Sequence, residues 1–290
     1  VAENSKIEWC HHTHNIWRGC TKKVLDNGQV ASECFHCYAE RDYSVKLHGI
    51  GWGPQAERVP NSERYRLEEP RKWNRRAART GIRERVFVNS LSDIWDDHRT
   101  VDPQWRMDWA RLVEETPCLI WMLLSKRWEN APRMLDEIGW GDGPPANVWY
   151  GATAGSQVTA DDQIPKIFRC AGAVLYFASC EPLFGELDLK PWLVPHCQAC
   201  GYSRIDQAIN GDHHLCREEI PRGLGWAIAG CESGTKCRPT EISHIRSLRD
   251  QAEATEVPFF LKQMMIGGRL VKKPELDGRQ WLEVPGFESE

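Results

Sequence analysis

The chain has 290 residues, 41% hydrophobic composition and a formal net charge of -4, which suits one large α/β domain and excludes a global field that would attract nucleic acid. It contains no apolar run of about 18 residues, and VAENSKIEWC at its start lacks a signal-peptide core, so a cytoplasmic protein with no membrane partner is expected. In that compartment the 12 cysteines are expected to be reduced, and their clustering reads as metal binding rather than disulfide bonding.

In chain order, Lys6 to Trp9 is a short lead-in to Cys10-His11-His12-Thr13-His14, which reads either as a metal site or as polar residues lining a barrel mouth. Asn15 to Arg18 is expected as the first core strand, ending at Cys20. Asp26-Asn27-Gly28 is a turn signal, so the stretch between Cys20 and Cys34 is expected to fold back as a hairpin that brings its ends together. Cys34 and Cys37 then close onto a helical segment, where the positive end of the helix dipole favours thiolates. Three thiolates without a matching fourth suit a [4Fe-4S] cluster with one iron free of protein, to which S-adenosylmethionine can bind through its amine and carboxylate. A structural zinc completed by a histidine, or three unrelated thiols, are the alternatives.

The stretch from Arg58 to Arg85 is strongly basic and includes Lys72, Arg75, Arg76 and Arg79 around Trp73-Asn74. It reads as a solvated helix paired with Glu68 and Glu69, or as a phosphate-contacting face. Beyond it, short apolar runs alternate with helical stretches. Strands are expected at Val86 to Asn89, Leu119 to Leu124, Val148 to Thr153, Val174 to Ala178, Trp226 to Gly230 and Pro258 to Leu261. Each runs into polar residues on its C-terminal side, the edge that bears the active site in α/β barrels. No Gly-x-Gly-x-x-Gly follows the first strand, which removes the simplest dinucleotide-binding reading. The expected fold class is therefore α/β: a partial (β/α) barrel with a small metal-binding insertion, residues 1–290 forming one domain and 190–224 the insertion.

These motifs, taken together, resemble the phage- and bacteria-associated family of uncharacterised radical S-adenosylmethionine-like proteins. The resemblance rests on Ile7-Glu8-Trp9, Asn15 to Cys20, Cys34-Phe35-His36-Cys37-Tyr38-Ala39-Glu40, Lys72-Trp73-Asn74-Arg75 and Val86 to Asp93. It continues through Ser125-Lys126-Arg127, Glu181-Pro182-Leu183, Gly230-Cys231-Glu232-Ser233-Gly234 and Phe259 to Gln263. The Cys20–Cys34 loop is far longer than the superfamily's usual spacing. His36 stands where the superfamily usually carries an aromatic residue beside the adenine.

The resemblance implies a barrel of the radical S-adenosylmethionine type, a [4Fe-4S] cluster on Cys20, Cys34 and Cys37, and S-adenosylmethionine as cofactor. It further implies that Asn89, Ser90, Ser92 and Asp93 hold the methionyl amine, that Ser125, Lys126 and Arg127 face the carboxylate, and that Thr153 or Glu181 reaches the ribose. Glu232 and Lys262 with Gln263 are expected toward the substrate or the cofactor, and Cys231, which with Cys237 brackets a strand end, is read as an active-site thiol; Glu232, Cys231 and Lys262 are the catalytic candidates. A flavodoxin- or ferredoxin-type electron donor is the implied partner, and the chemistry is hydrogen abstraction by a 5'-deoxyadenosyl radical, of isomerase, lyase or transferase type. The favoured substrate is a nucleobase or nucleotide in phage DNA, and a peptide or small metabolite is the alternative.

A second set, Cys197, Cys200, His213, His214 and Cys216, has the spacing of a zinc knuckle or an auxiliary iron-sulfur site. A non-enzymatic reading follows if both cysteine sets hold zinc: a zinc-dependent nucleic-acid-binding module. Cys118, Cys170 and Cys180 are expected as core residues.

Overall fold

The computed structural model describes residues 3–45, 49–170, 172–193, 223–233 and 237–286. The second cysteine set therefore lies outside the described residues, as does most of the expected insertion. In chain order the first strands are β1 (His12–His14), β2 (Trp17–Arg18), β3 (Val59–Pro60), β4 (Glu84–Val88) and β5 (Leu119–Ser125). There follow β6 (Val148–Thr153), β7 (Leu175–Cys180), β8 (Leu224–Gly230), β9 (Phe259–Ile266) and β10 (Arg269–Lys272). The helices are α1 (Glu69–Thr80), α2 (Pro103–Glu115), α3 (Ala131–Glu137), α4 (Gln157–Phe168), α5 (Lys190–Leu193) and α6 (Ile242–Ala254).

Eight strands form one curled sheet in the order β1-β4-β5-β6-β7-β8-β9-β10. The first seven are parallel, and β10 returns antiparallel along β9. This is the half-barrel expected for α/β units, with the two faces of each strand buried in different layers. On β5, Leu119, Trp121 and Leu123 pack with the helices, while Ile120 and Met122 point to the inside of the curl. The inner layer is aromatic: Phe87, Trp149, Phe177, Trp226 and Phe260 pack there with Trp9. Gly151 on β6 makes this layer possible, because a Cβ there would lie 2.1 Å from the Phe177 ring.

The helices begin where the sequence supplies caps. Asp102 accepts a hydrogen bond from the Gln104 amide ahead of Pro103 in α2, and Ser156 accepts one from Thr159 ahead of α4. Helix α1 buries Trp73 and Ala77 against the outside of the sheet. No helix among the described residues is long and apolar enough to cross a membrane.

Two expectations are corrected. The first core strand is His12–His14, not Asn15 to Arg18; Trp17–Arg18 instead pairs antiparallel with Val59–Pro60. The histidines belong to the strand itself and are buried by ring packing. His12 stacks on Trp73 at 4.3 Å between ring centroids, and His14 meets Trp121 edge-on at 5.4 Å. They neither line the mouth nor gather as metal ligands. The second correction is at the last strand, which runs well past Leu261 and turns into a hairpin with β10.

Candidate active site

The C-terminal ends of the parallel strands surround an open cavity whose empty space, with the solvent at its mouth included, is about 1190 Å³. Its wall includes Cys20, Cys34 and Cys37 together with Asn89, Ser90, Ser92, Asp93, Lys126, Arg127, Thr153, Glu181, Cys231, Glu232, Lys262, Gln263 and His36. Residues chosen from strand ends spread over most of the chain thus share one chamber. Ser125 is the exception. Its hydroxyl donates to Asp93 at 2.6 Å and accepts from the Arg127 amide at 2.8 Å, so it braces the β4 and β5 ends from beneath.

The cysteine loop folds back as its turn signal predicts: Val24 bridges Val30, and the Gly28 amide donates to Leu25. Side chains then fasten this loop to the barrel edge. Lys23 reaches Glu129 at 2.5 Å, and Lys166 reaches Asp26 at 2.8 Å. Glu33, only 7% exposed, accepts from the Gly155 amide at 2.8 Å and from the Thr159 hydroxyl at 3.1 Å, where the dipole of α4 favours a carboxylate. Arg238 donates to the Ser32 carbonyl at 2.9 Å and lies 3.9 Å from the Phe184 ring centroid. Past the cysteines the chain enters a π-helical segment, Ala39–Val45, and the Tyr38 hydroxyl donates to the Ser90 carbonyl at the end of β4.

The charges around the thiols are mixed: Arg127 and Lys126 stand beside them, with Asp93, Asp96 and Glu33 close by. Arg127 donates to Cys20 Sγ at 3.8 Å and also holds the Thr21 carbonyl. Lys126 faces Cys34 and Cys37; burial opposes its charge, and the negative charges of the two cysteines as thiolates, Glu33 and Asp93 outweigh that and raise its pKa. Burial pushes the Cys20 thiol up to about 12, with Arg127 opposing. A bound metal ion reverses that preference, because a coordinating thiol is deprotonated outright.

Asp93 is also raised by burial, although Arg127 and the Ser125 hydroxyl oppose the shift. The Glu232 carboxylate accepts from the Arg238 amide at 2.8 Å, pairs with its guanidinium, and lies 3.4 Å from His36 Nδ1. Burial favours its neutral form, but Arg238 overcomes this and lowers its pKa. Glu232 is therefore held as an anion by its neighbours.

Among the described residues, no three His, Cys, Asp or Glu side chains gather around a point that would hold a single ion. The thiolates of an iron-sulfur cluster bind separate iron atoms, so a cluster asks for wider spacing. The donor set fits such a group: three free thiols with two cations beside them and no disulfide. Buried polar atoms on the same wall lack protein partners, namely Asn89 Nδ2 and Thr153 Oγ1. Such groups rarely stay unpaired in a native protein, and a bound polar ligand would satisfy them.

Glu33, Arg238, Lys23 and Lys166 were not singled out by sequence. Glu33 and its partner Gly155 stand 122 residues apart, and no local pattern announces such a pairing. Trp9 is different: it belongs to a segment that carries the resemblance, and its indole donates to Glu181 Oε2 at 3.2 Å.

Residues 4–285 match a family described as "Protein of unknown function (DUF5131)". No curated protein and no solved structure matches the chain.

Proposed function

The chain belongs to the DUF5131 family, and from its site we propose that it is a radical S-adenosylmethionine enzyme. One observation carries this reading: three free cysteines and the polar C-terminal ends of the parallel strands line a single chamber at the mouth of a half-barrel. Cys20, Cys34 and Cys37 would hold a [4Fe-4S] cluster, and the unpartnered Asn89 and Thr153 groups would take polar atoms of S-adenosylmethionine. When bound, that pair supplies one electron and a sulfonium compound whose cleavage gives methionine and a 5'-deoxyadenosyl radical.

The residues of the chain do the rest. Lys126 and Arg127 would offset the negative charge of a thiolate-bound cluster; Arg127 is already held by Asp93, Asp96 and the Thr21 carbonyl, so Lys126 would be the cation offered to a carboxylate. Glu33 and Arg238 hold the cysteine loop against the barrel edge, and the aromatic floor keeps water from the reacting carbon. An electron-donor protein of flavodoxin or ferredoxin type would be required.

Anaerobic purification followed by iron, sulfide and cleavage assays tests the reading. The expected result is a brown protein that cleaves S-adenosylmethionine under reduction, with iron and cleavage lost in Cys20→Ala, Cys34→Ala and Cys37→Ala. Full cleavage by Cys37→Ala would remove the assignment. A colourless protein containing only zinc would instead favour the nucleic-acid-binding module.

Cys197, Cys200 and Cys216 with His213 or His214 are proposed as a separate zinc site. The triple variant lacking Cys20, Cys34 and Cys37 should then retain about one zinc per chain. A variant with neither zinc nor iron would dispose of that second site.

A further inference from the structure

We propose that Glu181 and Lys262 form a substrate subsite for a planar heterocycle that presents a hydrogen-bond donor and an acceptor side by side, as every nucleobase does. This names the substrate class of the chamber and rests on the functional reading above, although the binding itself does not require iron. The two residues come from strands separated by β8. Lys262 Nζ lies 2.7 Å from Glu181 Oε1, and the pair faces the cavity with 18% and 10% of its side chains exposed. Gly230 on β8 leaves room for that reach, since a Cβ there would lie 3.0 Å from Glu181 Oε1.

Capacity remains on both partners. An ammonium has three donors and a carboxylate about four acceptor sites. Lys262 gives one donor to Glu181, and Glu181 Oε2 takes one bond from the Trp9 indole. A free acceptor and a free donor therefore stand next to each other, complementary to the edge of a lactam or an amidine.

The surroundings select a ring. Trp9, whose indole donates to Glu181, and Phe87, its ring tilted 47° to Trp9 with centroids 4.9 Å apart, both line the chamber and make its wall aromatic. A peptide bond is a poorer match, because in the trans amide the N–H and C=O point in opposite directions.

The test is calorimetric titration of the native chain, iron-loaded and iron-free, with uracil, cytosine, adenine and hypoxanthine. At least one base should bind in both forms, and methylation that removes every N–H of its donor nitrogen (one methyl on a lactam nitrogen, two on the exocyclic amine of adenine or cytosine) should weaken binding about tenfold or more. Glu181→Gln and Lys262→Met should each produce a loss of similar size. If either variant fails to fold, the methylated base on the native chain still decides the matter.

Absence of binding by all four bases at millimolar concentration, or equal binding of the methylated base, overturns the subsite. Base binding without cleavage of S-adenosylmethionine by the iron-loaded chain would leave the subsite standing and remove the radical reading. Cleavage without base binding would do the reverse.

Discussion

At the scale of single residues, the Glu33 carboxylate ties the cysteine loop to α4 through two hydrogen bonds to groups that have been taken out of water. Bonds to a charged partner are stronger than neutral ones, and removing one partner leaves the other unpaired. Glu33→Ala is therefore expected to lower stability by about 2 kcal/mol in urea unfolding of the iron-free chain. Iron uptake should fall as well, whereas Glu33→Gln should recover part of both.

His14 gives a pH signature. Its Nε2 donates to the Arg66 carbonyl at 2.9 Å, and complete burial lowers its pKa to about 4; the Arg66 carbonyl opposes that shift. The unfolded chain then binds the proton more tightly, so stability present above the ordinary value of 6.5 is lost as pH falls toward 4. The loss reaches roughly 3 kcal/mol at the acid end. Urea unfolding at neutral and acid pH should show it, with a smaller difference in His14→Gln; equal differences would assign the effect elsewhere.

At the scale of elements, α1 is the basic helix that sequence offered as a phosphate face. Trp73 is 1% exposed and stacks on His12, which fixes the helix to the outer side of the sheet. Lys72 pairs with Glu69 at 2.6 Å and Arg76 with Glu84 at 2.9 Å, so two of the four expected phosphate contacts already have anions. Trp73→Ala should cost about 3–5 kcal/mol in unfolding. Salt-dependent DNA binding with Arg75→Ala and Arg79→Ala reads the phosphate role separately, because each lost contact would make the slope shallower by about one.

Strand β6 coincides with its expected bounds because an unbroken apolar run is a local signal. The first strand was misplaced because His12 and His14 look polar in sequence, and only ring contacts with Trp73 on helix α1 and Trp121 on strand β5 make them core residues. The site was legible wherever a strand ran into polar residues. The fastenings of the cysteine loop were not, since each depends on two stretches far apart in the chain.

At the scale of the molecule, the half-barrel leaves β1 and β10 as its two edges among the described residues. The N-terminal segment spans part of this opening. Lys272 binds Glu8 at 2.5 Å and the Lys6 carbonyl at 2.8 Å, while Trp9, 2% exposed, enters the inner aromatic layer. Trp9→Ala should lower stability by about 3–5 kcal/mol. It should also admit water to the chamber, which tritium or deuterium exchange of the Trp226 indole N–H can read.

That same segment sets an order of events during synthesis. Trp9 and the three thiols leave the ribosome long before Trp226, Phe260 and Lys272, the residues that receive or secure this segment. The nascent chain can fold β4 to β7 as local α/β units, yet its chamber has no finished floor until β9 and β10 have emerged. Iron delivered early would meet exposed cysteines on an open sheet. Loading of the proposed cluster is thus expected to follow emergence of β9 and β10, which pulse-labelled iron in nascent chains arrested before and after Lys272 would read.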